Sequence, residues 1–168
     1  MAASLVLFGV SAVYHRFYWA PQWEHMWRRF DHSNIFLLIA GTYTPLAVSL
    51  LGEPDQRNLL LIIWGGAIAG ILLNIFWPTA PRWLSTLVYV LLGWVAVWYL
   101  PQLWAAGGPA VVWLVVAGGV LYTLGAVVYA RKRPDPSPAW FGFHEIFHLC
   151  TVLAWACHCV AVFLAVLG

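Results

Sequence analysis

Residues 58–77 read NLLLIIWGGAIAGILLNIFW, twenty positions from Asn58 to Trp77 without one charged side chain. About 20 mostly apolar residues in helical form cross the hydrocarbon core of a bilayer, so this run reads as a transmembrane helix. Five further stretches of the same kind flank it: 2–19, 31–51, 83–100, 109–130 and 140–167. They are too long for the strands of a membrane barrel and lack period-2 alternation. The whole chain of 168 residues agrees, being 63% hydrophobic and only 8% charged, where an ordinary soluble domain carries roughly 25% charged residues. The expectation is one all-α domain over 1–168, a polytopic bundle of six transmembrane spans.

Polar breaks separate the spans at 20–30, 52–57, 78–82, 101–108 and 131–139. The run from Arg131 to Pro138 holds three prolines and cannot be helical, and Ser137 reads as the N-cap of the last span with Pro138 at its first position. Gly107-Gly108-Pro109 opens the fifth span in the same way. Pro45 lies inside the second span and predicts a kink. Gly66 and Gly70, four apart, predict close helix packing. Twelve Trp and seven Tyr, many near span ends as at Trp19, Trp77 and Trp104, read as an interfacial belt.

Several function classes are excluded. A net charge of +2 gives no basic field for nucleic acid. No phosphate-binding glycine motif is present. The three cysteines all fall between Cys150 and Cys159 and make no disulfide framework. The first segment lacks the basic start of a cleavable signal peptide. Seven of the eight basic residues (Arg16, Arg28, Arg29, Arg82, Arg131, Lys132 and Arg133) fall in loops one, three and five. Those loops are therefore expected in the cytoplasm, with both ends of this chain opposite.

Ionisable residues inside a span cost on the order of 2.5–3.5 kcal/mol each on insertion scales, which makes each a functional candidate. Spans three, four and five have none in their interiors. The other three carry ionisable residues at one depth, His15 in the first, Asp31 and His32 in the second, His144, Glu145 and His148 in the sixth, with His158 deeper along. A four-residue step turns a helix about 40° past a full turn, so Ser11 shares a face with His15, and His144 with His148. Paired His at i and i+4 is a metal-ligand spacing, and a third imidazole from His15 would leave one tetrahedral position open, the catalytic zinc pattern. Bound zinc lowers the pKa of water to about 7. Asp31 would hold that water and accept its proton, and Ser11 would support His15 or donate to a developing oxyanion.

Other readings stand beside this one. His144-Glu145-Ile146-Phe147-His148 also fits the H-E-x-x-H metalloprotease pattern, with Glu145 as base. The metzincin extension would need His at the position of Ala154, so a protease would draw on Asp31 as a further ligand. A Ser11–His–Asp31 hydrolase triad leaves two imidazoles unexplained. His25 reads as solvated, and His32 points about 100° away from Asp31. His158 lies about 15 Å along the helix from His148, and Cys157-His158-Cys159 reads as packing rather than a metal triplet.

Taken together, Ser11-Ala-Val-Tyr-His15, the run from Asp31 through Gly41-Thr-Tyr-Thr-Pro45, and His144-Glu-Ile-Phe-His148 resemble the hemolysin-III branch of the progestin and adipoQ receptor family. Gly93-Trp94 and the run Gly119 to Gly125 fit the same branch. The resemblance implies a seven-helix fold whose first helix would precede Met1. It also implies an internal zinc near the cytoplasmic face, held by His15, His144 and His148, with Asp31 on the water, Ser11 as the family's serine and Glu145 outside the ligand set. It suggests zinc-dependent hydrolysis of a lipid amide or ester, in a bacterial inner membrane. The competing expectation is a non-enzymatic protein, either a zinc-stabilised receptor-like bundle or a cytolysin, although nothing in these residues builds a pore.

Overall fold

The computed structural model describes residues 2–77, 79–138 and 140–168. Met1, Pro78, Ala139 and the side chain of Arg82 lie outside the described residues, and so do the readings that rest on them. The chain is all-helical: α1 (Ala2–Arg16), α2 (Pro21–Leu50), α3 (Asp55–Phe76), α4 (Arg82–Gly93), a 3₁₀ segment (Trp94–Tyr99), α5 (Leu100–Arg131) and α6 (Phe143–Leu167).

Among the described residues, four helical stretches are long and apolar enough to cross a membrane: Pro21–Leu50, Asp55–Phe76, Trp83–Arg131 and Phe143–Leu167. Among the described residues the six separate spans expected are not matched. At 1.5 Å per residue, the 15 residues of α1 rise about 22 Å, short of the roughly 30 Å of a hydrocarbon core. The stretches expected at 83–100 and 109–130 fall in one 49-residue helical run that the non-helical Gly108 divides into two arms. The break expected at 101–108 narrows to Gly108, whose φ of 75° and ψ of 179° only glycine adopts readily. There the run folds back on itself, so that the Trp94 indole donates to Thr123 Oγ1 at 2.9 Å.

Two other boundaries move for identifiable reasons. The break expected at 20–30 is mostly helix, because α2 starts at Pro21, a residue preorganised for a first turn. Gln22, Glu24, Met26, Arg28 and Arg29, all good helix formers, then carry it past the apolar segment. At the far end, Ser137 does not cap α6. Its backbone instead closes a turn on Phe141, with Phe141 N–H donating to Ser137 C=O at 2.8 Å. The cap is Gly142, and Glu145 Oε2 accepts from its N–H at 2.8 Å. Asp135 Oδ1 accepts from Phe143 N–H at 3.0 Å. Two carboxylates thus satisfy amides at the start of the helix that presents His144 and His148.

The core lies between α2, α3, the α4–α5 run and α6, around Phe36, Leu59, Ile63 and Val111. A Cβ on Gly70 would enter the ring of Phe36, and one on Gly66 would meet Leu92 Cδ1 at 2.5 Å, so this glycine pair does serve close packing. α2 continues through Pro45 to Leu50, with Thr42 and Thr44 hydroxyls donating to Leu38 and Ala40 carbonyls at 2.9 and 2.8 Å. Tyr43 ties α2 to the α–3₁₀ junction. Its hydroxyl donates to Gly93 C=O at 2.6 Å and accepts from Ala96 N–H at 2.9 Å. Outward faces are apolar, with Leu61 66% and Leu5 75% exposed, as a surface solvated by lipid requires. α1 sits at the edge, packed on α2 and touching α6 where Phe8 meets Trp155 edge-on at 5.2 Å.

Candidate metal centre

The last turn of α1, which ends at Arg16, and the first turns of α6, which begins at Phe143, meet α2 at Asp31, ten residues past its start at Pro21. His144 and His148 stand one turn apart on α6, with Nε2 atoms 3.0 Å apart. His15 reaches across from α1, its Nε2 3.5 Å from that of His144. All three rings offer a nitrogen within 4.8 Å of the others. Asp31 on α2 places Oδ2 4.0 Å from His15 Nε2. Four residues expected at one depth are therefore together, from three helices. Ser11 lies one turn before His15 on α1 and is half-buried.

The proton arithmetic of the trio is informative. A neutral imidazole Nε2 has a single in-plane site, either an N–H or a lone pair. His144 Nε2 has two imidazole nitrogens beside it and can pair well with only one. The 3.0 Å contact has hydrogen-bond length, whereas 3.5 Å is beyond the usual N–H range. One cation facing three lone pairs would resolve the conflict. Tetrahedral zinc with Zn–N distances near 2.0–2.1 Å sets its ligand nitrogens roughly 3.3 Å apart. The 3.0 and 3.5 Å separations bracket that value and the third pair lies within 4.8 Å, so the residues fit such an ion. Asp31 carries only 14% side-chain exposure, against 39% for His15, and its carboxylate closes the α2 side of the group.

Glu145 is elsewhere. Its carboxylate is engaged with Gly142 N–H at the start of α6, and the residue is exposed. The H-E-x-x-H pattern thus has its histidines in the trio and its glutamate in a helix cap. His158 is a satisfied core histidine. Its Nε2 donates to Val115 C=O at 3.1 Å, and Gly118 leaves room for the ring. Cys150, Cys157 and Cys159 are free.

Sequence reasoning set His32 aside, and the structure gives it a definite place. Nδ1 must carry the proton, because its partner at 2.8 Å is the Arg28 carbonyl, which only accepts. Nε2 then accepts from the Tyr129 hydroxyl at 3.0 Å, while Nδ1 also lies 3.9 Å from Asp31 Oδ2. Tyr129 in turn faces His144, with ring centroids 6.3 Å apart. On the far side of this pair Tyr89 OH donates to His32 C=O at 3.2 Å, and Asn74 Nδ2 donates to Tyr89 OH at 3.4 Å. The one available signal was Asn74, an amide inside an otherwise apolar span, which a search confined to ionisable residues passes over.

Fold and site define a class: an all-helical, multi-pass membrane protein with a polar site where three helices converge. The chain belongs to the haemolysin-III related family, whose model matches residues 1–159. It is 38% identical over 124 residues to Hemolysin-3 of Bacillus cereus, an alignment covering 73% of this chain and 57% of that protein. It is also 38% identical over 114 residues to the Hemolysin-3 homolog of Bacillus subtilis (strain 168), covering 67% and 54%. The chain thus spans a little over half the length of the curated relatives it matches. No solved structure matches it.

Proposed function

We propose that His15, His144 and His148 hold one zinc ion, and that the centre hydrolyses an amide or ester of a membrane lipid. The observation that carries this reading is the convergence of three Nε2 atoms from two helices, with spacings suited to one tetrahedral ion, where His144 Nε2 can hydrogen-bond only one of its two neighbours. When bound, zinc supplies a Lewis acid for a carbonyl oxygen and acidifies water at neutral pH. The chain's own residues do the rest. Asp31 orients a water at the edge of the trio and takes its proton. His32, with Nδ1 held by the Arg28 carbonyl, borders Asp31 on the α2 side. Ser11, one turn inward on α1, supports His15 or donates to the oxyanion.

A lipid substrate is supported by what adjoins the site. An apolar cavity of about 80 Å³ runs inward from Phe147 past Thr151 to His158, and is further walled by Leu38 and Tyr122. Its apolar walls suit a short hydrocarbon segment. On the other flank, His15 borders an open groove with Ala12, Val13, Arg16 and Phe17. The centre then lies near the cytoplasmic face of a bacterial inner membrane, the side where the basic residues collect.

A second reading has its own observation. The trio joins α1 to α6 across 129 residues of sequence, so the metal could serve as a helix clamp without turnover, as a receptor-like or cytolytic protein would use it. Elemental analysis of the purified protein, followed by lipid product analysis with and without chelator, separates the two. Stoichiometric zinc and chelator-sensitive product support hydrolysis. Zinc without product supports the clamp, and protein purified without zinc overturns both.

A further inference from the structure

A second polar space, of about 200 Å³, lies between the same ends of α2, α3, α4 and α5. We propose that it binds the phosphate group of an anionic ligand, independently of whether the neighbouring trio holds a metal. Arg28 and Arg29 stand at its rim and are exposed. Its floor is polar and enclosed: Asn74 and Thr86 are each only 9% exposed. Ser85 Oγ donates to Asn74 Oδ1 at 3.2 Å, which points the amide nitrogen toward Tyr89. No carboxylate is among the described residues that line it.

Three considerations favour phosphate. First, the rim carries two guanidiniums and Asn74 keeps one N–H beyond the one it gives Tyr89, while the Ser85, Tyr89 and Tyr129 hydroxyls, which give their protons to Asn74 and His32, fix the polar wall. A phosphate offers three or more acceptor oxygens, whereas a carboxylate offers two. Second, guanidinium forks match phosphate oxygens in pairs, and the described lining holds two guanidiniums and no carboxylate. Third, amide and hydroxyl groups inside transmembrane helices are costly unless partnered, and these are gathered around one space rather than scattered. At about 30 Å³ per liquid water, the space holds roughly six or seven waters, enough for a phosphate with its nearest substituents. Such a phosphate can come from a glycerophospholipid headgroup or from solution.

The test uses the full chain in detergent micelles. Native mass spectrometry would score retention of phosphatidylglycerol against phosphatidylcholine, and competition by inorganic phosphate. Arg28→Gln/Arg29→Gln should weaken binding at least tenfold. Arg131→Gln/Arg133→Gln, which removes equal charge from the loop after α5, should stay within twofold. Ser85→Ala, expected to weaken binding several-fold, serves if the arginine pair fails to fold. Retention that phosphate does not displace assigns the site to a lipid, and displacement assigns it to a soluble phosphate. Equal losses in the two double variants would reveal general surface electrostatics and overturn the proposal, as would binding of neither probe.

Discussion

At the scale of single residues, the trio and its neighbours have separable roles. His144→Ala or His148→Ala should abolish zinc in elemental analysis and lower thermal stability, because the imidazoles left behind lose their common partner inside the membrane. Asp31→Asn should keep the metal and lose roughly 10²–10⁴-fold in lipid turnover, the usual range for a general base. Glu145→Gln should leave metal and turnover unchanged, since an amide oxygen can still accept from Gly142 N–H. Glu145→Ala should cost about 1 kcal/mol of stability, as loss of a helix cap does. A protease would behave in the opposite way, with Glu145→Gln eliminating activity while zinc stays. These roles divide along what the chain could announce. His144 and His148 are legible because a four-residue step fixes their shared face, and His15 and Asp31 because both sit at the ends of apolar spans, at one depth. His32 is not, since its partner Tyr129 lies 97 residues away and their meeting depends on how α5 ends beside α2.

Among the elements, the glycines carry the sharpest tests. Gly70→Leu would drive a side chain into the space of the Phe36 ring, and overpacking of this kind costs about 1–3 kcal/mol. The variant should unfold at lower temperature in detergent while retaining its zinc. At the end of α5, Lys132 takes a left-handed φ of 53° while its N–H donates to Val128 C=O. Lys132→Gly relieves that conformation and should raise stability by about 1 kcal/mol in the same thermal assay. Helical identity was readable along almost all of the chain from the absence of charge. The ends were less so, because hydropathy reports where lipid starts and hydrogen bonding reports where helix starts. Residues 21–30 illustrate the difference: too polar for hydrocarbon, yet helical. Gly108 illustrates the reverse, a sharp turn that hydrogen-bond continuity on both sides disguises as one long helix.

For the molecule as a whole, orientation is the open physical question that charge can answer. The α1, α2, α5 and α6 ends at the trio are also those that carry or adjoin Arg16, Arg28, Arg29 and Arg131. Ser137→Cys, in a background with Cys150, Cys157 and Cys159 replaced by alanine, should resist an impermeant thiol reagent in intact cells and react in inverted vesicles. Labelling in intact cells would place the trio at the outer face instead. Its position also gives the trio a mechanical meaning. A bond between His15 and His144 closes a ring of 129 residues in the chain. For a free polymer, closing a ring of that size costs on the order of 4–5 kcal/mol of entropy. An ion shared by the three imidazoles would act as a reversible crosslink, and α1, outside the core that unites the other helices, is what it would tether. Removing the ion should therefore release the molecule from its edge inward: α1 becomes the first segment open to protease, while α2 to α6 stay assembled.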